Sequence, residues 1–278
     1  MDALARREAR HAVAGGVSME RAAPTRAESW ALSAAGLAAL LAGWTAVASA
    51  GLVPAQFLPT PLAVAERFVE LTRKPFAGYT IQQHLVSSVG RYLMGFGLAA
   101  VVGVPLGLAM GWFRWLDEIV SPLFEAVRFV APIAWVPFAA LWFGTGIGGP
   151  TLIIFMGALP PALINAYRGA RFVEPRYIEA AQTLGAGSWR VITQVLLPAS
   201  VPSIVAGLRI SAGLGWQSLV GAELIVASSG IGYLLVKGQS SISTSTVMSG
   251  MIAIGVVGFA IDALLRRAEA AIHARRGR

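Results

Sequence analysis

Apolar and polar positions divide the chain into six long hydrophobic stretches, at about 30–50, 84–112, 119–143, 150–167, 201–226 and 246–265, separated by short joints rich in Gly, Pro and charge. At about 1.5 Å per residue most of these cross a hydrocarbon core of about 30 Å, and the fourth only just does. Each must be helical, because unpaired backbone groups cannot face lipid. The pattern therefore predicts an all-α polytopic membrane protein with about six transmembrane helices.

One joint differs from the rest. Between the fourth and fifth stretches runs EAAQTLGAGSWRVITQVLLPASVP, from Glu179 to Pro202. Good helix formers behind a carboxylate, then glycines at Gly185 and Gly187, then an apolar-faced run from Trp189 predict helix, turn and helix. Pro198 and Pro202 are expected to stop that unit and reopen a helix, since proline lacks an amide donor and suits a first turn.

Composition adds that 56% of residues are hydrophobic and 13% charged, a membrane rather than a soluble composition. The distribution of charge orients the chain. Most of the 22 Lys and Arg residues cluster before the first stretch (Arg6, Arg7, Arg10, Arg21, Arg26), in the joint (Arg168, Arg171, Arg176, Arg190) and at the end (Arg266, Arg267, Arg275, Arg276, Arg278). The opposite side has Arg67, Arg73, Lys74 and Lys237. By the positive-inside rule both termini and the joint are cytoplasmic. The net charge of +8 is thus a matter of topology, not of nucleic-acid binding. The expected organisation is a cytoplasmic tail over 1–29, an anchor over 30–50, an extracytoplasmic segment over 51–83, a core over 84–265 with its loop at about 168–200, and a basic tail over 266–278.

The joint resembles the "EAA" loop of permease subunits of ABC importers. Glu179, Ala180, Ala181, Gly185, Leu197 and Pro198 fall in the register of that pattern, with Val195 where Ile is usual. Beyond the loop, three further runs are similar to the branch that takes up nitrate, sulfonates, taurine and related solutes. These are His84 to Gly111 with its GVPLG, PIAWVP from Pro132 with LWFGTG from Leu141, and Trp216, Glu223 and GIGYL from Gly230. The resemblance implies a type I ABC importer permease fold with a cytoplasmic coupling helix, in the inner membrane of a bacterium. It also implies a second permease copy, two ATPase subunits that bind ATP and Mg, and an extracytoplasmic binding protein, all around a lipid-embedded chain. Glu179 would fix the coupling loop through hydrogen bonds and Gly185 would permit its turn.

Gly103, Gly107 and Gly111 recur every fourth residue and clear one helix face, either for plain packing or for a sliding surface. Pro132, Pro137, Pro160 and Pro161 break main-chain bonds in the third and fourth stretches, as pathway lining or as kinks. Charges inside apolar stretches are costly unless paired or wet. Arg91 and Arg209 are expected to snorkel, Arg209 alternatively pairing with the loop. Arg128 either pairs with Glu125 one turn earlier or presents its fork to an anionic substrate. Glu223 either gates the outer mouth or pairs with an Arg. Arg128, Trp135, Trp216 and Glu223 are the candidate pathway or gate residues.

No catalytic residues are nominated. Lys74 and Lys237 are the two lysines, and neither lies in GxxxxGK[ST], so no phosphate-cradling loop exists. His11, His84 and His273 form no HExxH, and zero cysteines exclude thiolate sites, leaving no metal or cofactor site on this chain. An ion-gradient-driven secondary transporter is the alternative reading; it would be expected to show a repeat between halves, and none is visible.

Overall fold

A computed structural model describes residues 26–51 and 53–276, and all regular elements among them are helical. The chain forms two units that part at residues 52 and 53. The first contains α1 (Arg26–Ser49), 24 residues with exposed Leu32, Leu37, Leu40 and Val47. Its length and apolar surface suit a single crossing. Of the tail expected over 1–29, residues 1–25 lie outside the described part.

The second unit opens with α2 (Pro61–Arg73), inside the segment expected to be extracytoplasmic. Thr60 caps it by accepting from the Ala63 amide at 3.3 Å, and Pro61 fills its first turn, where no donor is lost. α2 buries Val64 and Leu71, and Arg67 donates from Nε to Thr246 Oγ1 at 2.9 Å. A capping box of Thr80 and Gln83 then starts α3 (Ile81–Trp112), 32 residues long.

The third apolar stretch is not one straight helix but a bent pair, the sixth span where the pair is taken as one. It divides into α4 (Arg114–Arg128), a 3₁₀ turn (Pro132–Trp135) and α5 (Val136–Phe143), bent by 89° at the break. The cause is local: Pro132 has no amide to continue α4 and pushes Ala131 into extended backbone at φ −55°, ψ 139°. α6 (Gly148–Arg171) is longer than the fourth stretch and runs straight through Pro160 and Pro161.

α7 (Pro175–Thr183) and α8 (Ser188–Val191) form the joint, followed by a π turn (Ile192–Leu196) and α9 (Leu197–Val226). Pro198 and Pro202 therefore do not stop the second helix of the joint, as the sequence pattern predicted. Helix is continuous over Ser188–Val226, because the π turn bonds the Leu197 amide back to the Ile192 carbonyl and carries the chain to the donorless Pro198. α10 (Ile231–Ser240) and α11 (Thr244–Arg276) complete the unit. α11 continues as helix to Arg276, through most of the expected basic tail.

α6 is the hub, packed between α3 and α9. Gly103, Gly107 and Gly111 are buried along α3 against it. A Cβ on Gly107 would collide with the Leu163 carbonyl oxygen and meet Ala166 Cβ at 2.9 Å; one on Gly111 would meet Ala170 Cβ at 2.5 Å. Such close approach is how helices associate where lipid is as apolar as the side chains. Above this seam Tyr92, Ile154, Ala212, Trp216 and Leu219 form a core, with Tyr92 edge-on to Trp216 at 5.4 Å between ring centroids. A second core of Leu71, Ile81, Ile231 and Ala253 docks α2 against α3, α10 and α11. Leu98, Val101, Leu141, Val256 and Phe259 remain exposed on the outside of the unit.

Candidate functional site

Three places carry polar chemistry: the joint, a cavity beside the bent third stretch, and a buried network at the opposite end of α9. In the joint, Gly185 sits at φ +82°, a left-handed conformation that glycine adopts without cost, and its amide caps back to Gln182 at 2.9 Å. Leu184 and Trp189 flank this turn at 87% and 74% exposure. Large apolar side chains held out on a tight turn are poised to be covered by something else. Glu179, Ala180 and Ala181 lie on α7, and Leu197 and Pro198 begin α9. The Glu179 carboxylate does not fix the loop: it is exposed, and its contribution is a backbone carbonyl that accepts from Thr183 Oγ1 at 2.9 Å. On an outward-facing turn of α7 it is placed for contact outside the chain instead.

The cavity, about 410 Å³, lies between the 3₁₀ turn, α6 and α9. Pro132, Pro160 and Pro161 line it, as do Met156 and Gly157, whose carbonyls Pro160 and Pro161 leave without the usual i+4 donor. Arg128 reaches it from the end of α4, paired to Glu125 Oε2 at 2.7 Å and stacked over Phe129. The local pair expected of Arg128 is present, and the residue also lines the cavity. Its guanidinium is 31% exposed, and the Glu125 pair occupies one edge of its fork.

Trp135, Trp216 and Glu223 are not among the lining residues. Trp135 packs edge-on to Phe138 and against the core of Val136, Ala139 and Ile153. Trp216 is 7% exposed, donating from Nε1 to the Ile254 carbonyl at 3.3 Å. Glu223 is the centre of the buried network. Arg91 Nη1 donates to Glu223 Oε1 at 2.8 Å and to the Ser229 carbonyl at 2.7 Å, while Arg91 Nη2 reaches Ser229 Oγ at 2.6 Å. Ser88 Oγ stands 2.8 Å from both Glu223 oxygens and accepts from the Ile231 amide at 2.9 Å. The Gly232 amide donates to Glu223 Oε2 at 3.0 Å. His84 completes the set: its Nδ1 accepts from the Gly230 amide at 3.0 Å, so Nε2 carries the proton toward the Phe76 carbonyl at 3.2 Å. Arg91 therefore does not snorkel; it is 4% exposed with Nε left unpartnered.

Arg209 pairs with α11 rather than with the joint, Nε to Asp262 at 3.1 Å and Nη1 to Glu269 at 3.1 Å. Two residues escaped the sequence reading, Gln217 and Ser218, which line the cavity from α9. The signal available was a lone amide in the apolar run LGWQSLVG, but a search for charge passes over it. Among the described residues no group of three His, Cys, Asp or Glu gathers to hold a metal.

Residues 103–278 match the family model described as "Binding-protein-dependent transport system inner membrane component". The chain is 36% identical over 236 residues to the taurine transport system permease protein TauC of Escherichia coli, covering 84% of this chain and 86% of that protein. It is 34% identical over 232 residues to the putative aliphatic sulfonates transport permease protein SsuC of Bacillus subtilis (84% and 83%). With the bicarbonate transport system permease protein CmpB of Synechococcus elongatus it shares 33% identity over 239 residues (83% and 85%). The fold is similar to a chain of the methionine ABC transporter MetNI in inward-facing form, at a TM-score of 0.55 and 17% identity, covering 67% of this chain and 93% of that one.

Proposed function

Since the chain belongs to the family of binding-protein-dependent transport system inner membrane components, as an ABC importer permease of the taurine, sulfonate and bicarbonate branch, we propose that it carries a small anionic solute inward at the expense of ATP hydrolysed by partner subunits. The observation that carries this reading is the joint. Its Glu-Ala-Ala helix, left-handed Gly185 and exposed Leu184 and Trp189 form a knob whose second half, from Ser188, is helically continuous with α9. A knob of that kind, seated in a cleft of an ATPase subunit, transmits closure of the ATPase pair directly to the helix that lines the cavity.

In this mechanism two copies of the chain enclose the pathway, and two ATPase subunits hold ATP and Mg and take one knob each. An extracytoplasmic binding protein delivers solute at the far end. The charge pattern supports a cytoplasmic joint and cytoplasmic termini. Arg128 supports an anionic solute, because a guanidinium is a planar fork suited to carboxylate and sulfonate oxygens. The test is ATPase activity of the chain co-purified with its ATPase in lipid nanodiscs, with and without binding protein loaded with taurine, other sulfonates or bicarbonate. Stimulation by a loaded binding protein supports the proposal. A chain that assembles with no ATPase and moves solute down an ion gradient overturns it.

A further inference from the structure

Gln217 lies nine residues before the end of α9 at Val226, about 14 Å at 1.5 Å per residue and so near mid-depth of a core of about 30 Å. Its side chain is exposed and makes no hydrogen bond within the chain among the described residues. A primary amide left bare in hydrocarbon costs several kcal/mol, so this one faces water or another polar surface. It also stands where two cavities meet. The one beside Arg128 shares Leu214 and Gln217 with a second, of about 450 Å³, that runs down α9 to Arg209, Asp262 and Glu269. A guanidinium thus lies in each cavity, with Gln217 at the junction.

We infer that the two cavities are one anion path along α9, and that Gln217 contacts the solute at the crossing, its amide N–H groups donating to oxyanion oxygens. This rests on the importer reading above and assigns a contact residue within it. An uncharged donor suits the crossing, since a path must bind its solute yet release it. Arg209 meets the same need: Asp262 and Glu269 pair with it, and Asp262 is itself paired to Arg266 at 2.5 Å, so its charge is offset and an arriving anion is not trapped there.

The chain has no cysteine, so Gln217→Cys gives it a single thiol. In the assembled complex in proteoliposomes, the membrane-impermeant sulfonate reagent methanethiosulfonate ethylsulfonate should label that thiol, and ethanesulfonate should slow labelling at least threefold. An unlabelled thiol that cross-links between copies on oxidation, or one that neither labels nor cross-links, overturns the path. Gln217→Glu, which sets a negative charge at the crossing, should lower ethanesulfonate uptake at least tenfold, while Gln217→Asn keeps most of it. A Glu variant that is monodisperse and transports at the normal rate overturns the contact even if the thiol labels. Failure of the importer reading is separable, because it appears as absent uptake and absent ATPase stimulation in the unsubstituted complex.

Discussion

Arg91 and Glu223 meet across 132 positions of sequence, both almost fully buried, and the cost of separating them is large. Removing one partner of a buried pair leaves an uncompensated charge, about 3–5 kcal/mol, whereas removing both is often near neutral. Glu223→Ala should therefore lower the unfolding midpoint of the purified chain sharply. Arg91→Met combined with Glu223→Met should recover most of the loss, which thermal unfolding in detergent can follow. A single variant as stable as the parent would contradict the network. Arg128 differs in kind, being half-exposed with a local partner; Arg128→Gln should leave stability within about 0.5 kcal/mol, as for a surface substitution, while reducing uptake, and unchanged affinity and rate would remove it from the path. The local pair of Arg128 was legible from i, i+3 spacing, whereas nothing in a single sequence links Arg91 to Glu223. Pairing with an Arg is one of the two readings of Glu223 in the sequence, but which Arg is not legible and Arg91 reads as a snorkelling charge, because pairing over such a distance is a property of the packed fold.

At the scale of elements, the helix–turn–helix of the joint was readable because its signals are local: helix formers, then a glycine that the structure holds at φ +82°. No atom lies within 4 Å of a Cβ added at Gly185, so a substitution there is penalised by backbone strain alone, about 1–2 kcal/mol. Gly185→Val should then leave assembly intact while uptake falls more than tenfold at persisting ATP hydrolysis; normal uptake would show that the turn is dispensable for coupling. Gly107 is the steric counterpart. Gly107→Leu overpacks the seam with α6 and should cost at least about 1–3 kcal/mol, while Gly97→Leu, which meets nothing within 4 Å, should be near neutral in the same unfolding assay. The contacts along the seam are those of close helix packing. The break of the third stretch was legible only as one of two readings of Pro132, a kink or pathway lining, and the π turn was not legible at all. Hydropathy registers how apolar a segment is, not its direction, and a proline can either bend a helix by 89° or be carried by one wider turn.

The whole molecule presents its joint at one end of α9 and the Arg91–Glu223 network toward the other. If the charge pattern sets the orientation, a single thiol at Ser188→Cys should be reached by impermeant reagents from the cytoplasmic side and one at Ser240→Cys from the outside; the reverse pattern would invert the proposed topology. The long-range pair also has a consequence for how the protein is made. Arg91 is synthesised 132 residues ahead of Glu223, an interval of about 7–26 s at ordinary elongation rates of about 5–20 residues per second. For that interval the arginine is in the membrane without its carboxylate. It pairs with Glu223 only three residues before the end of α9 at Val226, about 5 Å at 1.5 Å per residue, so it lies within reach of the headgroups for a long side chain. The depth of Arg91 is thus also a waiting position: the nascent chain parks this charge at the lipid boundary until the rest of the sequence arrives to draw it in.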